Sequence, residues 1–251
     1  MKTKYYAQGF TLIELAMVLF IMGLLLSSFL APLAARVEQR ERDETEIQLE
    51  EIKDVLFGYV IRQGQFPCPD CRLAGEGTCI VADVDDGFED RNLGECKSEV
   101  GNLPWADLGV AENDAWGQHF TYRVSEDFAD DTDGTPGQAD CVNKSTTMEV
   151  SYSLCSDGDI NVYSSDAATA AATGDIAENV PAIVISHSKN WADTASADEV
   201  ENYDDGGAGD VDYKFVDKDY SQSIGSEYDD MLIWISPHIL RTMSVKAGKL
   251  P

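Results

Sequence analysis

From Phe10 to Ala35 the chain holds one charged side chain, Glu14, in an otherwise apolar or small-residue run. Wound as a helix at about 1.5 Å per residue, such a run exceeds the roughly 30 Å hydrocarbon core of a bilayer. A carboxylate at the centre of a membrane helix costs about 2.5–3.5 kcal/mol, and less near an end. Nothing cationic lies within the run to pair with Glu14. A fold for this chain must therefore account for a long apolar segment and for one isolated acid near its start.

The composition changes abruptly after Ala35, to RVEQRERDETEIQLEEIKDVLFGYVIRQG. Within this charged stretch Leu49, Ile52, Leu56, Tyr59 and Val60 recur at helical spacing and form one apolar stripe. Gly64 and Pro67 supply the stop. Between the two halves the one helix breaker is Pro32, which predicts a kink rather than an end. The pattern predicts one long, gently bent helix from Phe10 to about Arg62. It divides the chain into a leader (1–9), an apolar helix (10–35), an amphipathic helix (36–62) and a large remainder (63–251).

In the remainder, strand patterns fall at Phe120–Val124, Met148–Leu154, Ile160–Tyr163, Ala182–Ser186, Tyr213–Val216 and Met231–Ile235. They are β-branched or aromatic and are separated by Gly, Asp and Asn. Three stretches read as linkers: Glu126–Asp140, Ser164–Asn179 and Asn202–Asp212. A long N-terminal helix followed by short strands is an α+β pattern, expected as one antiparallel sheet packed on the helix stripe with loop-rich insertions.

The charge balance excludes some functions. With 46 Asp and Glu against 18 Lys and Arg, the net charge of −28 disfavours binding to a phosphate backbone. Most of this acidity reads as a solvated surface. One loop is denser: Asp83, Asp85, Asp86, Glu89 and Asp90 surround Gly87 within eight residues. Hard oxygen ligands on a glycine-turned loop suit Ca²⁺, although the spacing is not that of an EF-hand. Asp204–Asp212 is a second and poorer candidate.

All six cysteines, Cys68, Cys71, Cys79, Cys96, Cys141 and Cys155, lie beyond the apolar run. An even number there fits disulfides in an oxidising compartment, and proximity favours Cys68–Cys96, Cys71–Cys79 and Cys141–Cys155. Zinc is the competitor, since Cys68 and Cys71 have C-x₂-C spacing, but no second pair or nearby histidine completes a site.

Three readings of the N-terminus compete. A cleaved secretory signal would have a shorter apolar run. Both that reading and an ordinary anchor leave Glu14 unexplained. The stretch Gly9-Phe10-Thr11-Leu12-Ile13-Glu14-Leu15, with its short Lys2- and Lys4-bearing leader, closely resembles the processing site of type IV prepilins and type II secretion pseudopilins. Patches such as FPCPD, LPWADLG, DAWGQHFTYRV, VPAIVISHSKN and YDDMLIWIS resemble a subgroup of these with large cysteine-containing domains.

The resemblance implies cleavage after Gly9 by a membrane-embedded prepilin peptidase and methylation of the new amine on Phe10. It also implies packing of the apolar helix against other pilin or pseudopilin subunits on an inner-membrane assembly platform. The chain is then expected as a single-pass bacterial inner-membrane precursor, N-terminus inside, with a periplasmic domain, and afterwards as part of a pilus or pseudopilus. Cleavage would create the cation that Glu14 lacks. The large loop-rich domain favours a minor subunit.

The rival is a membrane-anchored periplasmic binding or enzymatic domain that uses the segment only as an anchor. Enzymatic signals are sparse: there is no Walker A or dinucleotide fingerprint, and His187 has no nucleophile elbow and no local aspartate to orient it. No enzymatic role and no cofactor beyond the candidate Ca²⁺ are expected.

Overall fold

The computed structural model describes residues 11–75, 77–129, 150–170, 174–190, 196–203, 213–223 and 225–250. In chain order the elements are α1 (Leu12–Gln63), β1 (Arg91–Asn92), β2 (Glu95–Cys96), β3 (Val100–Asn102), α2 (Trp105–Leu108) and β4 (Thr121–Val124). They continue with α3 (Glu126–Ala129), β5 (Ile160–Tyr163), β6 (Ala177–Val180), β7 (Ala182–Ser186), α4 (Ala197–Asn202), β8 (Lys214–Val216), β9 (Met231–Trp234) and α5 (Pro237–Lys246).

Helix α1 matches the expected extent within two residues and continues through Pro32 without a break in its helical assignment. The chain divides into two compact units, residues 1–43 and 44–251. In the first unit the apolar side chains from Leu12 to Leu25 are exposed. Among the described residues no helix is long and apolar enough to cross a membrane.

The second unit is built in three layers. The expected stripe is its first layer: Leu49, Ile52, Leu56, Tyr59 and Val60 are all buried, with Phe57 beside them. They pack on one face of a four-stranded antiparallel sheet ordered β3-β4-β7-β9, through Tyr122, Val124, Ala182 and Val184. Successive strand residues point to opposite faces, so Ile183 and Ile185 of β7 face away from the helix. They meet Ile160, Val162, Val180 and Phe215 in a second core. Those four residues belong to a three-stranded sheet ordered β6-β5-β8.

The single antiparallel sheet expected from the sequence is therefore corrected. Two main sheets and a β1–β2 hairpin form, and β5 pairs with β8 in parallel. The reason is visible in β7: AIVIS is buried on both faces, and one helix can cover only one of them.

The strand expected at Met148–Leu154 also fails to form over its described residues, 150–154. Val150 and Tyr152 are core residues, but Ser151 bonds the carbonyls of Gly64 and Phe128 while Ser153 and Ser156 bond one another in a turn. Local hydroxyl bonding replaces a ladder there. All three expected linkers hold structure in their described residues: Glu126–Ala129 is a short helix with Phe128 and Ala129 buried, Ala177–Val180 is a strand, and Asn202 is fully buried.

Candidate functional site

The first candidate is the start of α1. Thr11 precedes the first helical residue and Glu14 lies one turn in. The Glu14 amide donates to Thr11 Oγ1 at 3.3 Å, while Glu14 Oε2 accepts from the Thr11 amide at 3.4 Å and from its hydroxyl at 3.3 Å. This reciprocal arrangement is a capping box, which satisfies helix-end donors and places negative charge at the positive end of the helix dipole. Glu14 is thus held by its own helix in the isolated chain. Sequence reasoning had no role for Thr11, although T-L-I-E is a recognisable signature of such a cap. Gly9 and Phe10 lie outside the described residues.

The second candidate is the lobe between Phe66 and Gly101. Cys68 is joined to Cys96 and Cys71 to Cys79, with Cα separations of 5.2 and 6.0 Å. These are two of the three pairs that proximity favours. Cys155 is disulfide-bonded as well, and its expected partner Cys141 lies outside the described residues.

Inside the lobe the five carboxylates proposed as calcium ligands are drawn to protein donors. Asp83 and Asp90 both contact Lys97 Nζ, at 2.7 and 3.1 Å. Asp90 also accepts from the Cys71 amide. Glu89 takes the Tyr59 hydroxyl, the Cys68 amide and the Arg91 guanidinium. Asp85 accepts from the Asn102 side chain at 3.1 Å and lies 3.5 Å from His119, and Asp86 accepts from the Phe88 amide.

Among the described residues only Cys71, Asp83 and Asp90 bring potential metal-ligating atoms within 4.8 Å of one another. The Cys71 sulfur is committed to a disulfide, and the ammonium of Lys97 bridges the two aspartates. The five acids therefore do not fit one calcium shell in this arrangement, because Lys97 and Arg91 supply the positive charge a metal would bring. Asp204–Asp212 lies outside the described residues.

Asp70 is the acid that sequence reasoning passed over. It is fully buried and accepts from the Gly87 amide at 2.9 Å, and among the described residues its other oxygen has no hydrogen-bond partner. Burial is the main cause that raises its pKa to about 7. Gly87 is required at this turn by a φ of +81° and because a Cβ would strike the Trp105 ring at 2.4 Å.

A buried relay also appears around His187. Thr121 Oγ1 lies 3.0 Å from Nε2, and Asp230 Oδ1 lies 3.6 Å from Nδ1. Asp230 supplies the orienting acid from a distant strand end, where no local motif could reveal it. Asn202 in turn bonds Asp230, the Tyr228 hydroxyl and the Val216 carbonyl. Thr121, His187 and Asp230 are all buried. The groove of about 450 Å³ between residues 174–178 and 234–238 contains none of them. Their geometry ties β4, β7 and the start of β9 together.

Comparison with known proteins bears on the N-terminus. No curated protein and no solved structure matches the chain. Residues 4–30 match the family described as the prokaryotic N-terminal methylation motif. That match includes Gly9, Phe10, Thr11 and Glu14. The chain is prepilin-like: it carries a type IV prepilin- or pseudopilin-type N-terminal segment.

Proposed function

We propose that the chain is the precursor of a minor subunit of a type IV pilus or a type II secretion pseudopilus. In this reading prepilin peptidase cuts after Gly9, the Phe10 amine is methylated, and Phe10–Ala35 anchors the protein in the inner membrane before entering a filament core. The chain then works by assembly with other pilin or pseudopilin subunits rather than by turnover. The observation that carries the reading is the methylation motif at residues 4–30, with Glu14 in the first turn of α1.

Physically, the cut places a cationic amine one helical turn from Glu14. In the isolated chain Thr11 holds the carboxylate; in a filament the amine of a neighbour can replace the weaker hydroxyl and amide contacts. Opposite charges in a low-dielectric bundle attract strongly, so subunits in the correct axial register are favoured.

Mass spectrometry of the mature N-terminus tests the proposal. An N-methyl-Phe10 terminus is expected, and a terminus near Arg36 would mean a removed signal peptide. Glu14→Ala should still insert in the membrane yet enter filaments poorly. Incorporation equal to wild type would refute the pairing.

A further inference from the structure

The β1–β2 hairpin is closed by a two-residue turn, Leu93-Gly94, because Arg91 pairs with Cys96 and Asn92 with Glu95. Both turn residues have positive φ, 57° and 100°. Turns of this kind prefer Asn-Gly, since asparagine tolerates the left-handed region and a branched apolar residue does not. Leu93 is nevertheless there, and it is 97% exposed. Neither local conformation nor solvation favours leucine at this position. A local choice that opposes stability marks a functional constraint more often than an ordinary surface residue does.

The tip stands on a rigid base. The Arg91 guanidinium donates to Glu89 at 2.8 Å, to the Gly94 carbonyl at 3.1 Å and to the Phe66 carbonyl at 2.7 Å. Cys96 fastens the second strand to Cys68. A turn held this way loses little backbone freedom when its tip binds, which suits it to present an interface anchor. The same lobe exposes Leu73, Ile80, Val81 and Phe88.

Charge selects the partner. Of the lobe's three basic side chains, Arg91 and Lys97 are spent on internal carboxylates and Arg72 is engaged as well, while Asp86 and Glu95 are exposed. An anionic lipid surface would be repelled, and so would a second copy of a chain with net charge −28. We propose that Leu93 is the anchor of a docking surface for a protein whose apolar face is rimmed by basic side chains. This surface lies outside the matched N-terminal segment and does not depend on how that segment is processed.

The test uses the full chain in zwitterionic lipid nanodiscs and a synthetic amphipathic Leu/Lys helical peptide, with a Leu/Glu peptide as its counterpart. Empty nanodiscs supply the background. Leu93→Asn suits the turn and leaves the net charge unchanged, so it should melt no lower than wild type. It should weaken Leu/Lys binding about tenfold, as loss of a central anchor does. Glu95→Gln should weaken binding less, and chiefly at low salt. Equal binding by wild type and Leu93→Asn would overturn the proposal, because general attraction to an acidic protein would then explain it. Equal binding of the Leu/Glu peptide would overturn the charge argument. Self-association of the wild type that Leu93→Asn abolishes would replace the proposed partner with a second copy.

Discussion

Helix α1 holds two apolar stretches with opposite fates. From Leu12 to Leu25 the large apolar side chains are 46–87% exposed, whereas Leu49, Ile52, Leu56 and Val60 are at most 3% exposed. Both stretches are helical and rich in leucine and isoleucine. The difference is periodicity. The second stretch gathers its apolar residues on one face, and a sheet of the same chain covers that face. The first is apolar all round, so its burial requires lipid or other helices, which is the environment the prepilin-type segment implies.

Deleting buried side chains should break this contrast most sharply. Leu56→Ala removes a fully buried residue from the centre of the stripe and should cost about 3–4 kcal/mol in denaturant unfolding of the globular unit. Leu19→Ala, in the exposed stretch, should change the same transition by less than about 0.5 kcal/mol. A large effect of Leu19→Ala would show that the apolar half is covered by its own chain.

The disulfide lobe offers the next largest effect. Cys68 and Cys96 are separated by 28 residues in sequence, and opening that loop with a double serine variant should cost about 3.5 kcal/mol by loop entropy. Thermal melting under non-reducing conditions reads the change. An unchanged midpoint would mean that Arg91, Lys97 and the Asp70–Gly87 bond hold the lobe without the bridge.

Asp70 sharpens the comparison between buried and exposed acids. Its pKa is raised by burial to about 7, so the folded state holds the proton more tightly than the unfolded chain. The stabilisation is then full at low pH and is lost as pH rises through about 7. Asp159 and Asp217 are raised by burial too and act with the same sign. Asp70→Asn keeps an acceptor for the Gly87 amide and removes the charge, and should stabilise the domain at pH 8 by about 1–2 kcal/mol relative to wild type. Little difference is expected at about pH 3, below the ordinary carboxylate pKa. A pH profile parallel to wild type would show that Asp70 is not the titrating group.

Much of this organisation can be read from residue order. The helix extent, its buried stripe, the strands at Ile160–Tyr163 and Ala182–Ser186, and two disulfides follow from spacing and proximity. The split into two sheets does not. Ala182–Ser186 looks the same whether one or both of its faces are covered, and only the position of β5, β6 and β8 settles which. The acidic loop misleads for a related reason. Its carboxylates are clustered in sequence, but Lys97, Arg91 and Tyr59 approach from other segments and take them up.

What the sequence determined by itself is local and periodic: a prepilin-type N-terminal segment and a helix with one coverable stripe. These depend on neighbours within a turn or two, so residue order is sufficient. Only the tertiary structure decided that Asp70 is buried, that Asp230 reaches His187, and that Leu93 stands on a braced turn. Each of these arises from chain segments brought together across long sequence separations, where burial and charge partners replace local propensity as the deciding terms.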